Sequence, residues 1–114
     1  MKKYELTGET KEVSGRILHR VRALRDFADV CQGELGGWVE SERNLSQTGG
    51  AWVSGDARVF GDAVVYDNAV VYDNAVVYDY ARVFGNAVVC GDARVGGYVQ
   101  VGGYVQVGGN AVCD

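Results

Sequence analysis

Few side chains in this 114-residue chain are of kinds that do chemistry, and their spacing limits what they can do. His19 is the single imidazole, and imidazole is the usual proton acceptor at neutral pH. It stands among arginines, with no nucleophile or acidic partner identifiable from the sequence. Cys31, Cys90 and Cys113 are irregularly spaced and form neither a disulfide framework nor a zinc pattern. Asp67, Asp73 and Asp79 invite a calcium reading, but the nine-residue G-G-x-G-x-D repeat of calcium-binding rolls is absent. Arg16, Arg20, Arg22 and Arg25 make the one basic patch. It reads either as a solvated face paired with Glu5, Glu9 or Glu12, or as a site for phosphate or an acidic partner. No catalytic, cofactor-binding or metal-ligating residue is expected, and no cofactor.

The elements that must position these groups are unusually plain. Val53, Val59, Val65, Val71, Val77, Val83, Val89, Val95, Val101 and Val107 stand six residues apart, and Cys113 continues the row. A small residue follows each by four positions, as Ala57, Ala63, Ala69 and Ala75 do. A period of six fits neither a helix nor a flat amphipathic sheet. In Val65–Val70, Val and Tyr favour extended backbone, and Asp-Asn tolerates the left-handed conformation that a corner needs. Ala69 and Val71 then point inward together, while Tyr66 and Val70 point out. Three hexads close a triangular coil of about eighteen residues, and the coils stack as parallel strands about 4.8 Å apart. Every eighteenth residue then shares a stack. One corner reads Asp56, Asn74, Asp92, Asn110, and others read Gly55, Asp73, Gly91 and Asp67, Gly85, Gly103. No two carboxylates are adjacent, whereas a shorter coil would set Asp67, Asp73 and Asp79 against one another. In the eighteen-residue coil those three fall on three different corners.

The predicted class is all-β: a parallel β-helix of about three coils over residues 51–114, with residues 1–50 as an N-terminal β cap and a degenerate first coil. Lys3–Thr7 and Arg16–Leu24 read as a hairpin joined by a polar turn over Gly8–Gly15. Leu35–Val39 resembles Gly49–Val53 and reads as the degenerate coil, linked by the polar loop Glu40–Thr48. The repeat carries the negative charge, setting Arg58, Arg82 and Arg94 against seven aspartates, which argues against direct nucleic-acid binding. The start reads as lacking a signal peptide, and no apolar run approaches the roughly 20 residues of a membrane helix. The expected setting is the reducing cytoplasm, with no membrane partner.

The hexads, such as Val71–Val76, resemble those of the left-handed parallel β-helix of the hexapeptide-repeat (trimeric LpxA-like) superfamily. A narrower resemblance runs through Tyr4–Thr7, Ala23–Val30, Leu35–Val39 and Asn44–Gln47. These segments are similar to the N-terminal part of the YdcK-like hexapeptide proteins of enterobacteria and their phages, which are labelled acyltransferases by fold. The resemblance implies a left-handed coil, a phage or prophage setting, and acyl transfer as the enzymatic alternative. Hexapeptide acyltransferases use a His base at a cleft between subunits. Here His19 lies outside every hexad, and no loop interrupts the repeat to shape a donor pocket.

The outward positions carry more aliphatic and aromatic residues than a solenoid needs. They either stiffen the coils as ladders or form an interface. One face stacks Trp52, Val70, Val88 and Gln106 beside Ser54, Tyr72, Cys90 and Gly108. Tyr98 and Tyr104 occupy corner positions near the C-terminal end, where Val107 and Ala111 belong to the inner rows and no cap follows. The expected function is a non-enzymatic binding or scaffold protein that self-associates and has a host protein as candidate partner. A counter-defence role, including mimicry of nucleic acid by the acidic rod, is one form of it. An end-to-end dimer through Tyr98, Tyr104, Val107 and Ala111 is preferred to a side-by-side trimer through Trp52, Val70, Tyr72 and Val88.

Overall fold

The computed structural model describes residues 2–113. Every sixth residue from Gly49 to Gly109 has a positive φ near 60–70°, and that regularity generates the coil. Eight of these positions are glycine, and Asp67, Asp73 and Asp79 take the rest with φ of 60, 61 and 59°. Between corners the chain forms two-residue strands, each with its second residue inward, a Val in all but the last, where it is Cys113. Their parallel register has a step of eighteen throughout. Trp52, Val70, Val88 and Gln106 are partners on one face, Arg58, Val76, Arg94 and Val112 on the next, and Val64, Arg82 and Gln100 on the third. Backbone amides bond to the next rung, as Val76 N to Ala93 O and Tyr78 N to Val95 O do, both at 2.9 Å. The molecule is a parallel β-solenoid of about four turns.

The inner rows are closed to solvent. Val53 to Val95 and Ala51 to Ala93 are fully buried, with Val101 and Val107 nearly so. Burying each Val contributes about 1.5–3 kcal/mol. Pairing Val with Ala leaves a core only as wide as a triangular coil allows.

The three aspartates at left-handed corners meet a cost of about 1–2 kcal/mol that glycine avoids. Each returns part of it by accepting a hydrogen bond from the corner amide one rung on. Gly85 N donates to Asp67, Gly91 N to Asp73 and Gly97 N to Asp79, at 3.1–3.2 Å. All three occupy a single turn of the coil, with glycine above and below them in each stack.

The cap is a hairpin of β1 (Tyr4–Val13) and β2 (Arg16–Ala23). The turn is the two residues Ser14-Gly15, not the polar stretch Gly8–Gly15 expected from composition. Thr10–Val13 pair with Arg16–His19 after a register shift, and Ser14 and Gly15 both take positive φ, the geometry of a tight hairpin whose twist suits its strands. β2 pairs with β3 (Leu35–Val39), and β3 runs parallel to the first strand of the Arg58 face. Cap and coil thus share one sheet. After β3, Leu45 bridges in parallel to Val65 and is fully buried. Asn44 closes the loop between them, accepting from the amides of Glu40 and Ser41 and donating to the carbonyls of Gly61 and Ala63.

Two polar side chains anchor the cap beneath the first rung. Tyr4 is fully buried and donates to the carbonyls of Glu42 and Leu45. Lys3 is also fully buried, with its ammonium 2.7 Å from Ala51 O and 4.9 Å from the Phe27 ring centre. Burial, with Arg25 adding to it, pulls the Lys3 pKa from 10.5 to about 8. Burial and Glu42 push the Tyr4 phenol the other way, above its usual value.

Two outcomes follow from this packing. Val71→Asp places an unpaired carboxylate in the inner row at a cost of several kcal/mol, so circular dichroism will show an unfolded chain. For Lys3, the unfolded chain binds more protons than the folded one between pH 8 and 10.5. Stability therefore rises with pH there, by about 2 kcal/mol from pH 8 to 10, before Tyr4 opposes it above pH 10. Urea melts across this range will show the rise in the natural protein and a flatter profile in Lys3→Met.

Candidate functional site

Because the inner rows are spent on the core, any site must be assembled from outward positions, and the register decides which of them meet. On the Trp52 face, Trp52 does not belong to an open surface as expected. It is 3% exposed, because Phe27 and Tyr4 pack edge-on against its ring at 5.2 and 6.5 Å. The outward Trp is consumed by the cap. Val70, Tyr72 and Val88 remain half-buried in the rungs beyond it.

On the Arg58 face, Phe60 and Tyr78 stack with ring centres 5.9 Å apart and planes 20° from parallel. The next position in that row is Gly96, where a Cβ would fall inside the contact surface of the Tyr78 ring. Beside this wall Arg58 and Arg94 flank Val76. The hairpin tip, Val13 and Ser14, leans over the face and closes a groove of about 420 Å³. Arg16 lies 5.8 Å over Phe60. The third face repeats the wall with Tyr66 and Phe84 at 5.3 Å, ending on Gly102. The outward aromatics thus do stack rung on rung, as a stiffening ladder requires.

The corners hold the most exposed aromatics. Tyr80 and Tyr98 stack with ring centres 4.8 Å apart and planes 2° from parallel, one rung spacing. Tyr98 is 80% and Tyr104 86% exposed. Val105 and Val112 are also exposed, whereas Val107 is buried in the inner row and Ala111 half-buried. The role of Tyr80 was legible only by counting eighteen back from Tyr98.

The other chemical candidates are dispersed. His19 is half-buried on β2, opposite Thr10 and Val39. Arg16 pairs with Glu40 at 2.8 Å instead of Glu12, since the hairpin lies against the first coil. Arg20 pairs with Glu9 and Arg22 with Glu5, while Arg25 lies 5.9 Å over the Phe27 ring. Each guanidinium of the basic patch therefore has a neighbour within the chain. Asp67, Asp73 and Asp79 each serve a different corner stack. No group of three or more His, Cys, Asp or Glu among the described residues is placed to hold a metal ion. No helix among them is long and apolar enough to cross a membrane.

Fold and surface together define a hexapeptide-built parallel β-solenoid with a hairpin cap. The YdcK β-solenoid repeat family model matches residues 51–67, 65–79 and 81–97. The uncharacterized acetyltransferase YdcK of Escherichia coli (strain K12) is 34% identical over 61 residues, covering 46% of this chain and 19% of that protein. The chain thus spans about a fifth of that relative's length. The matched part of the chain carries repeats like those of the YdcK β-solenoid family.

Gly96 tests how the aromatic wall is seated. Gly96→Val will drive a side chain into the Tyr78 ring and cost about 1–3 kcal/mol, read as a lower melting temperature. The double variant Gly96→Val, Tyr78→Ala will recover most of the loss.

Proposed function

We propose that this chain is a non-catalytic docking protein and that its first partner is a second copy of itself. The exposed corner tyrosines near the C-terminal end carry this reading: Tyr80 and Tyr98 stacked on one corner, and Tyr104 on the next. Tyrosines are enriched at interfaces because a flat apolar ring ends in a hydroxyl that tolerates water. These two corners also set uncharged rings where neighbouring hexads set Asp or Asn. In a chain of net charge −4, an uncharged edge is where two copies meet with least repulsion. Stacked flat rings are also self-complementary, as a two-fold contact demands. The rival side-by-side contact is weakened by the loss of Trp52 to the cap. A host protein docking on the same edge, in the phage setting that the resemblance implies, is the extension of this reading.

Acetyl transfer is the second reading, favoured by the name of the Escherichia coli relative. Against it, the groove on the Arg58 face is lined by Val13, Ser14, Arg58, Phe60, Val76, Tyr78 and Arg94, which bind anions and rings more readily than they remove a proton. His19 lies in the cap.

Sedimentation equilibrium at micromolar concentration will show a dimer. Tyr98→Ser with Tyr104→Ser will make it monomeric, and Val70→Lys with Val88→Lys will leave it dimeric. A monomeric natural protein, or dissociation by the second pair alone, overturns the assembly. Acetyl coenzyme A is the probe for catalysis. Saturable binding with transfer to an amine, lost in His19→Ala, would establish the enzyme instead.

A further inference from the structure

Arg58, Val76 and Arg94 are register partners on three successive rungs. With rungs about 4.8 Å apart, the two arginines start roughly 10 Å apart with an apolar side chain midway. Among the described residues neither guanidinium has a carboxylate at ion-pair distance, unlike Arg16, Arg20, Arg22 and Arg43. Arg58 Nε is buried and has no hydrogen-bond partner. A buried donor left unpaired costs about 1–3 kcal/mol, so the Arg58 side chain gains by turning its guanidinium to an acceptor in the groove it lines.

The surroundings say what kind of acceptor. The same two arginines line the 420 Å³ groove and a continuation of about 380 Å³ that runs past Asn74, Asp92 and Asn110. Small-ligand sites hold roughly 300–1,000 Å³. Asp92 lines only the continuation, so the main groove is positive at both ends and has no carboxylate in its lining. One long wall is the stacked pair Phe60–Tyr78, the floor is Val76, and the hairpin tip forms the far edge.

We propose that this groove binds a small organic dianion, with two carboxylate or phosphate groups about two rungs apart on an apolar spacer. The planar guanidinium fork matches either acid. A ligand with one acid would leave one arginine unmet. A polar spacer would lose its water against Val76 and the aromatic wall without regaining hydrogen bonds. The site is separate from the tyrosine edge and does not depend on self-association.

Titration calorimetry on the full chain at low salt tests this with octanedioate, whose length is close to the two-rung spacing, against butanedioate and octanoate. Octanedioate will bind about tenfold or more tighter than either, since each loses one charge-assisted contact. Arg58→Gln and Arg94→Gln will each bring octanedioate down to the octanoate level. Arg94 is exposed, so its replacement leaves the core intact even if Arg58→Gln lowers stability. Arg82→Gln, exposed on another face, and Tyr98→Ser will leave binding unchanged. The bisphosphate of 1,5-pentanediol, whose phosphates stand at a similar separation, separates the two acid types, and tighter binding of either of these long diacids than of butanedioate and octanoate upholds the site. Equal binding of butanedioate and octanedioate, an equal loss in Arg82→Gln, or no binding by either long diacid overturns it.

Discussion

Everything in this molecule depends on a backbone that must turn left-handed once in every six residues. That conformation is open to glycine, tolerated by Asp and Asn, and refused by most other residues. Meeting it eleven times, from Gly49 to Gly109, closes the coil and fixes its perimeter at eighteen residues. The register then follows without further instruction, because a slip by one residue would put Val outside and a corner inside. Where Asp replaces Gly at a corner, its carboxylate takes the amide of the rung above. The strained position becomes a bond between rungs. Two carboxylates in successive rungs would lose that gain to repulsion, which is why glycine brackets each of them.

A solenoid leaves one difficulty at its start: the first rung has a face with no rung beneath it. The chain meets this with Lys3, Asn44 and Gln47, polar side chains hydrogen-bonded to backbone groups. Lys3 reaches backbone carbonyls of the loop before the first rung. The Gln47 side chain takes the amides of Lys3 and Tyr4, and Asn44 spans from the loop to the next coil. Buried polar groups of this kind specify one arrangement because any other leaves them unpaired. Trp52 belongs to the same device. It stands at an outward position, yet the hairpin covers it, and Gly36 is needed because a Cβ there would collide with Val53, Val21 and Trp52.

The coil was legible in the sequence because its signal repeats: the Val row, the small-residue row and the corner residues each recur, and the charge pattern along every eighteenth residue selects three hexads per turn. The strand Leu35–Val39 was legible by its likeness to Gly49–Val53. What a period cannot carry is how the non-repeating cap lies on the repeat. The hairpin turn was placed too broadly because Thr7–Val13 is polar, and the edge strand of a solvated hairpin has no apolar alternation to reveal it. Trp52 looked exposed because its stack partners are, and only the position of Phe27 and Tyr4 removes it. The groove was half visible. Arg58, Val76 and Arg94 fall in one stack by counting, but the tip of Val13 and Ser14 that closes it comes from the cap.

The division of labour between rows explains why this surface can vary while the fold stays fixed. Inward Val and Ala and the left-handed corners admit almost no substitution, whereas the outward positions are constrained only by the residue one rung away. The two stacked aromatic rows on the faces accordingly end where a glycine gives the last ring its place, as Gly96 does for Tyr78 and Gly102 for Phe84. The corner tyrosines have no such glycine. Tyr98 lies flat on Tyr80 with its other face open, and Tyr104 has no ring beneath it in its row of Asn68 and Asn86. Rings that end on glycine complete their contacts inside the molecule. Rings left open at a corner do not, and their apolar area stabilises nothing until something covers it.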